Sequence, residues 1–392
     1  MFDQTEPGGL LEEMGKTVEI LSVGEANRQQ WNNFAAQAPA FTLMQSYEWG
    51  EFKERLGWKA IRLAAQQQGQ ITGVAQLLIK RAPLSVFSVG YVPRGPLVNW
   101  ADKATIAALL AALHQVAREH RVLFVRIEPP MLHSPAAHLA LQQYGFQATE
   151  QTNQPRSTMV LDLKSDIDTL FASLPRKTRH HIQACRRKGV TSRRGQETDL
   201  TTFYRLMITT SQRKGFAIRS QRYYEQEFQV FARHNRTALL FGDYEDQTIV
   251  AEMPFMFGQH GAALHGASSN THRNLPASDL LTWEGIKWAK DLGCQSYDLW
   301  GIPDQVGELV TAGKPIPRDE RGGLWGVYYF KKGFGGKVVY YVGAYDYVYV
   351  RPAYAWATKI LSWLESASAL TGFIDRTIRE DHVEQVQTRS TS

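Results

Sequence analysis

The stretch AIRLAA-QQQGQ-ITGVAQLLIK, residues 60–80, decides the fold. Two apolar runs flank a polar Gln-Gly reversal, the pattern of a β-hairpin with a tight turn. The figure returns at residues 237–258, where TALLFGDY passes through Glu245, Asp246 and Gln247 into TIVAEMPFMFG. Overlaid, Gly73-Val74-Ala75 falls on Ile249-Val250-Ala251, an offset of roughly 176 residues, about the size of one domain. An amphipathic helix follows each hairpin. Ile106, Leu109, Leu110 and Leu113 keep the spacing of one buried face, and so do Leu281, Trp288, Ala289 and Leu292, with Gly293 as a stop. Each helix then runs into a short strand, VLFVRIEPP from Val122 and SYDLWGIP from Ser296. Two hairpin–helix–strand units in one order predict duplicated α/β domains. The alternative is a chance likeness of common elements.

Composition narrows the class. The 392 residues allow two or three domains, and an apolar fraction of 43% suits a packed chain. Disordered, collagen-like and coiled-coil readings fail on composition. The longest apolar run, beginning at Ile106, falls far short of the ~20 residues of a membrane span. Asp3, Glu6, Glu12 and Glu13 near the start give no expectation of a secretory signal. Cys185 and Cys294 are the only cysteines, which excludes a disulfide framework and a thiolate zinc site. The expectation is a cytoplasmic protein, mildly basic at a formal +6. Aromatic residues reach 11%, as large cores or a stacking surface require.

Between the two copies lies PRKTRHHIQACRRKGVTSRR, residues 175–194, with eight Lys/Arg, two His and no acid. Asp166, Asp168 and Pro175 predict a helix from about 166 that breaks before a second begins. Ile182 and Cys185 suit a core-facing side, and Arg179, Arg186 and Arg187 an outer one. Residues 199–233 read as two further helices. From Thr377 the chain is polar and predicted to be frayed.

Several standard sites are absent: there is no HExxH, no GxxxxGK[ST] and no GxSxG. His180 and His181 are adjacent and so cannot share one helix face as metal ligands. Gln70 to Ala75 satisfies the [RQ]xxGx[GA] pattern of acyl-CoA pyrophosphate loops. That pattern needs free N–H groups at a strand-to-helix turn, whereas here it sits in a hairpin.

Three clusters remain. In QSYEWGEFK, residues 45–53, Trp49 and Lys53 are four apart on one helix side. Trp49 and Phe52 read as core with Lys53 solvated, or else as an aromatic platform beside an ammonium that suits a diphosphate; spacing favours the first. HGASSNTHRN, residues 265–274, follows the second hairpin at the sheet edge where α/β folds bind ligands, with Arg273 able to grip a phosphate. FKKGFGG, residues 330–336, reads equally as an anion loop or a plain turn.

In order and spacing, QSYEWGEFK…GW, VRIEPP, RKTRHHIQACRRKGV, HGASSNTHR, AKDLGCQSYDLWGIP and FKKGFGG resemble the FemABX family of peptidoglycan interpeptide-bridge aminoacyltransferases, over roughly residues 40–350. The resemblance implies an α/β fold of two tandem GNAT-like (acyl-CoA N-acyltransferase-like) domains. The first would cover residues 18–155, completed by about 337–365, and the second 156–336. The family's optional coiled-coil arm, inserted after about residue 210, is missing, so the chain resembles the arm-less subtype. The implied reaction moves Gly, Ala or Ser from aminoacyl-tRNA to the stem-peptide amine of a UDP-muramyl-peptide or lipid-linked precursor. By position, Lys53 resembles the lysine that meets the substrate diphosphate, with Trp49 near it and Thr271 and Arg273 as further contacts. Lys331 resembles the lysine that stabilises charge as the ester is attacked. Glu128 stands where relatives carry Asp, which leaves the proton acceptor open between Glu128, a tRNA phosphate and water.

An aminoacyl ester is already activated, so the resemblance implies no cofactor, no metal and no covalent intermediate. Holding amine and ester together lowers the barrier by ~7–11 kcal/mol when alignment is good. The 175–194 tract, through Arg179, Arg186, Arg187 and Lys188, would grip tRNA phosphates or rest on anionic headgroups at the inner face of the membrane as a peripheral contact. An acyl-CoA-dependent N-acyltransferase and a non-catalytic RNA- or envelope-binding protein are the alternatives.

Overall fold

The computed structural model describes residues 17–82 and 86–359. The polar tail expected at 377–392 and the acidic start lie outside the described residues. In the first half, β1 (Glu19–Ser22), α1 (Arg28–Ala35) and α2 (Tyr47–Arg55) lead into β2 (Lys59–Gln67) and β3 (Gln70–Arg81). Then come β4 (Ser88–Val92), β5 (Leu97–Val98), α3 (Lys103–Glu119), β6 (Val122–Ile127), α4 (Pro135–Gln143) and β7 (Gln147–Thr149). The second half opens with β8 (Ser157–Asp162), α5 (Ile167–Ser173), α6 (Arg176–Arg187) and β9 (Thr191–Arg194). It continues with α7 (Leu200–Lys214), α8 (Gln221–Ala232), β10 (Leu240–Tyr244), β11 (Gln247–Phe257), β12 (His260–Ser268) and α9 (Ala277–Asp291). It ends with β13 (Ser296–Gly301), α10 (Asp304–Thr311), α11 (Trp325–Lys332), β14 (Lys337–Tyr340) and β15 (Ala344–Val348).

The repeat is real in space. Both hairpins, β2–β3 and β10–β11, turn on two residues of positive φ, Gln68-Gly69 and Glu245-Asp246, as two-residue turns matched to strand twist demand. Each hairpin's second strand pairs with an antiparallel neighbour, β4 or β12, which in turn pairs in parallel with β6 or β13 across the helix α3 or α9. The first sheet runs β1-β2-β3-β4-β6-β15-β7 and the second β14-β8-β13-β12-β11-β10-β9. The Gln70–Ala75 motif lies inside β3, where Gly73 pairs with Ala65 and Val98, so its N–H groups serve the ladder.

The C-terminal return differs from the expected boundary at 337. β14 still pairs with β8 in the second sheet, and only β15 crosses back, between β6 and β7. A buried ion pair anchors it. Arg126 of β6 donates from Nε and Nη2 to Asp346 of β15, both at 2.8 Å, and neither side chain has solvent exposure.

One of the cores spans both halves. Trp49 and Phe52 of α2 meet Tyr223 and Phe231 of α8, with Phe52–Tyr223 ring centroids 4.9 Å apart, and Phe231 packs on Phe255 of β11 at 5.5 Å. Such pairs add ~0.5–1.5 kcal/mol beyond area burial. This is where much of the aromatic surplus goes. Beside it Glu48 of α2 is bound by Arg28, by Asn32 and, across the junction, by Arg236. Burial works to raise the Glu48 carboxyl, but Arg236 and Arg28 hold it below its ordinary value. α7 and α8 are adjacent, joined through Gly215 in the left-handed region, and none of the named helices exceeds the 17 residues of α3, so no arm projects among the described residues. Nor is any described helix long and apolar enough to cross a membrane.

Asp346→Asn leaves Arg126 as an uncompensated buried cation and should destabilise the chain by ~3–5 kcal/mol, read by denaturant unfolding. A loss below 1 kcal/mol would mean that β15 is held by its ladder alone.

Candidate active site at the domain junction

Local sequence positions each group. In the second sheet the parallel ladder between β12 and β13 ends at Ala262–Asp298, although β12 continues to Ser268. Beyond that point the strands part. Near the end of β13, Trp300 has φ +70° and donates its N–H to Asp298 Oδ1 at 2.7 Å, a strained bulge after which β13 pairs again with β8 at Gly301–Thr158 but no longer with β12. Lys331, in the last turn of α11, reaches this opening and donates Nζ–H to Gly301 O at 2.6 Å.

Buried charges surround it. Burial lowers the Lys331 ammonium to about 8, against the pull of Asp298 and Glu252, which favour the charged form. Glu252 of β11 accepts from Tyr297 Oη at 2.8 Å and Thr282 Oγ1 at 3.0 Å. Burial raises its carboxyl to about 7. A Cβ at Gly285 would come within 2.8 Å of both Glu252 Oε1 and Tyr297 Oη, so only glycine lets α9 lie this close. Burial also raises Asp298, opposed by Arg94 and Lys331.

Arg94 carries the network into the first domain. Held at φ +48°, its guanidinium lies 5.2 Å from the Trp300 ring and 4.5 Å from Tyr341, and donates to Pro155 O at 3.1 Å. It favours the charged form of Glu128 as well. Glu128 is 3% exposed. One oxygen accepts from the N–H groups of Asn153 (2.6 Å) and Gln154 (3.2 Å), the other from Tyr91 Oη, while burial raises its carboxyl. Glu128, Arg94, Asp298, Lys331 and Glu252 thus alternate in sign across the junction.

The other expected residues fall into separate groups. Lys53 is not solvated. It is 8% exposed, and its Nζ lies 5.2–5.4 Å from the rings of Trp49, Phe52 and Tyr223, a cation in an aromatic cage. The Arg219 guanidinium lies over the same Tyr223 ring, 5.6 Å from its centroid. Trp49 is both core and cage wall, so the two readings of that cluster merge. Thr271 and Arg273 do not join Lys53. They line a cleft of about 310 Å³ with Arg213, Lys214 and, from α11, Val327 and Phe330. Arg213 is committed to the loop, donating to Ser268 O, Ser269 O and Asn270 Oδ1 at 2.7–3.1 Å.

The basic tract divides. Ile182 and Cys185 are buried as expected. Arg179 caps α5, donating to Ala172 O and to Leu174 O, and Arg186 pairs with Glu284 at 2.8 Å. Arg187 and Lys188 are exposed. Among the described residues no group of three or more His, Cys, Asp or Glu could hold a metal. Arg94, Arg219, Tyr223, Glu252 and Asp298 escaped the sequence reading. The signal for Glu252 was a lone acid inside the apolar run TIVAEMPFMF.

The FemAB family model matches residues 26–140, 135–241 and 235–362. A lipid II:glycine glycyltransferase of Staphylococcus epidermidis is 24% identical over 409 aligned positions, covering 86% of this chain and 95% of the relative. That of Staphylococcus aureus strain MRSA252 is 24% identical, with 83% and 92% covered. The crystal structure of FemX superposes with a TM-score of 0.75 at 21% identity, covering 87% of this chain and all of that one. A tandem GNAT protein from the clavulanic acid biosynthesis pathway gives 0.51 at 11% identity, with 84% and 98% covered. The fold is therefore two tandem GNAT-like domains.

The pH dependence of Lys331 acylation by an amine-reactive probe, read by mass spectrometry, should give a midpoint near 8. Glu252→Gln removes a charge that favours the ammonium, so the midpoint should move to lower pH. A shift upward would show that Glu252 acts on Lys331 by some other route.

Proposed function

The chain belongs to the FemAB family, and from that premise we propose that it is an aminoacyltransferase that adds an amino acid to the stem-peptide amine of a peptidoglycan precursor, building the interpeptide bridge. The observation that carries the reading is Lys331, a half-buried ammonium at the opened end of the β12–β13 pair, on the helix that also lines the Arg273 cleft. The relatives' names support a lipid-linked precursor as acceptor and glycine as the first amino acid to test.

In this reading the donor is aminoacyl-tRNA. Its 3′ end enters the cleft, with Lys214 and Arg273 on phosphates and Arg213 holding the loop that shapes the wall. The acceptor's diphosphate sits at Lys53 and Arg219, whose cage fixes an ammonium that a flexible surface lysine would not. The stem-peptide amine attacks the ester carbonyl. A C–N bond forms, the C–O bond to the ribose breaks, and the ribose oxygen leaves with the proton that the amine gives up. The Lys331 ammonium faces the oxyanion, a contribution of ~2.7–4 kcal/mol for one well-placed donor. Glu128 is here a positioning residue, because its oxygens hold the Asn153–Gln154 link. Of Arg179, Arg186, Arg187 and Lys188, the last two are left for the tRNA backbone.

The purified chain should add one aminoacyl residue to a UDP-muramyl-pentapeptide or lipid-linked precursor when given charged tRNA, and ribonuclease should abolish the gain. No gain with Gly-, Ala- or Ser-tRNA on either acceptor would move the weight to acyl-CoA donors or to a binding role. Lys331→Ala should lower kcat by roughly 10²–10³ with little change in KM. Lys53→Ala should instead raise the acceptor KM, and a matching fall in kcat in both variants would undo the assignment. Lys214→Ala with Arg273→Ala should flatten the salt dependence of tRNA binding by a slope of about 1–2. An unchanged slope would place the tRNA elsewhere.

A further inference from the structure

The two ends of the first sheet differ in chemistry. Glu128 and Arg94 follow the carboxyl ends of β6 and β4. At the opposite end β3 stops at Arg81, β2 starts at Lys59, and β4 and β6 start at Ser88 and Val122. Register sets these side by side: Arg81 pairs with Ser88, Ser88 with Val122 and Lys59 with Ile79, and the Ser88 N–H donates to Arg121 O at 3.0 Å. The β3–β4 turn carries Val86 and Phe87, 52% and 39% exposed. Lys59, Arg81 and Arg121 are exposed around it.

An apolar tip ringed by cations is the chemistry of an interfacial anchor, in which aliphatic and aromatic groups enter the headgroup–acyl boundary and Lys/Arg meet lipid phosphates. The cage lies toward the same end. Lys53 O accepts the N–H groups of Leu56 and Trp58, just before β2, and Lys80 of β3 donates to Leu56 O and Gly57 O at 2.8 and 2.9 Å.

We propose that this end of the first domain docks on an anionic bilayer through Val86 and Phe87, with Lys59, Arg81 and Arg121 on the headgroup phosphates. The inference deepens the lipid-linked reading and rests on it for its purpose. The diphosphate at Lys53 faces the membrane, and the stem peptide runs away from the membrane toward Lys331.

The test is co-sedimentation of the full chain with phosphatidylcholine vesicles, with and without phosphatidylglycerol. The wild type should partition onto the anionic vesicles. Val86→Ser with Phe87→Ser should abolish this, and Lys59→Glu with Arg121→Glu should weaken it at least roughly fivefold. Turnover of the soluble UDP-linked acceptor should stay at wild-type level in both variants, which certifies folding, while turnover of vesicle-borne precursor falls. Equal partition onto both vesicle types overturns the proposal, and so does binding unchanged in the variants or lost instead on Arg187→Ser with Lys188→Ser. Self-association that the tip variant disperses overturns it too, since a second copy would then cover the tip. Vesicle binding is read without acceptor, so the two ideas fail separately. Transfer to soluble acceptor without tip-dependent binding sinks the surface alone. Tip-dependent binding with no transfer to either acceptor sinks the reaction alone.

Discussion

Everything at the junction depends on the strand β15 returning from the far end of the chain to close the first sheet. Arg126 and Asp346 are 220 residues apart and wholly buried, and their two parallel hydrogen bonds fix the register of that return. Without it β6 would be an open edge, and Glu128, just beyond its end, would lose the frame that holds the Asn153–Gln154 link. Because the chain must pass through the second sheet as β14 before it returns, neither domain is complete until both are. The aromatic contact of α2 with α8 and the Arg236–Glu48 pair then set the angle at which two domains of one plan face each other.

The buried charges at the junction are costly one at a time. A lone ammonium or carboxylate in this setting would neutralise. Here alternation of sign keeps Lys331 only partly depressed and Glu252 only partly raised, to about 8 and about 7. In the reaction proposed above, Gly301 O pre-aims the Lys331 ammonium, so its dipole need not reorganise as charge develops.

The fold was largely legible from periodicity, because hairpins and amphipathic helices write their burial into sequence at spacings of two and of three to four residues. The overlay of Val74 on Val250 corresponds to equivalent strands, and Ile182 and Cys185 are buried where the spacing put them. What periodicity does not write is contact across the junction. Thr271 and Arg273, expected as further diphosphate contacts, line a separate cleft, while the Lys53 ammonium lies against Trp49, Phe52 and, from the start of α8, Tyr223. Arg179 looked like a free cation and is spent capping α5. β14 read as part of the first domain because a strand's pattern says what it buries and nothing about which sheet it joins.

The two copies also show how one unit takes on two tasks. In the first sheet the parallel ladder between β4 and β6 runs to Val92–Ile127, and Glu128 N–H still reaches Val92 O at 3.3 Å. That pair is closed at its carboxyl end. In the second sheet the equivalent ladder stops at Ala262–Asp298, and past the strained Trp300 bulge β13 keeps its pairing with β8 but not with β12. The departing strands leave backbone carbonyls such as that of Gly301 unclaimed by the sheet, and Lys331 takes one of them. The open copy parts where Lys331 reaches Gly301 O; the closed copy supplies the Arg94 bridge and, together with Tyr223 of α8, the Lys53 cage. The asymmetry is set by where a ladder of hydrogen bonds ends, a difference of a few residues in an otherwise shared plan.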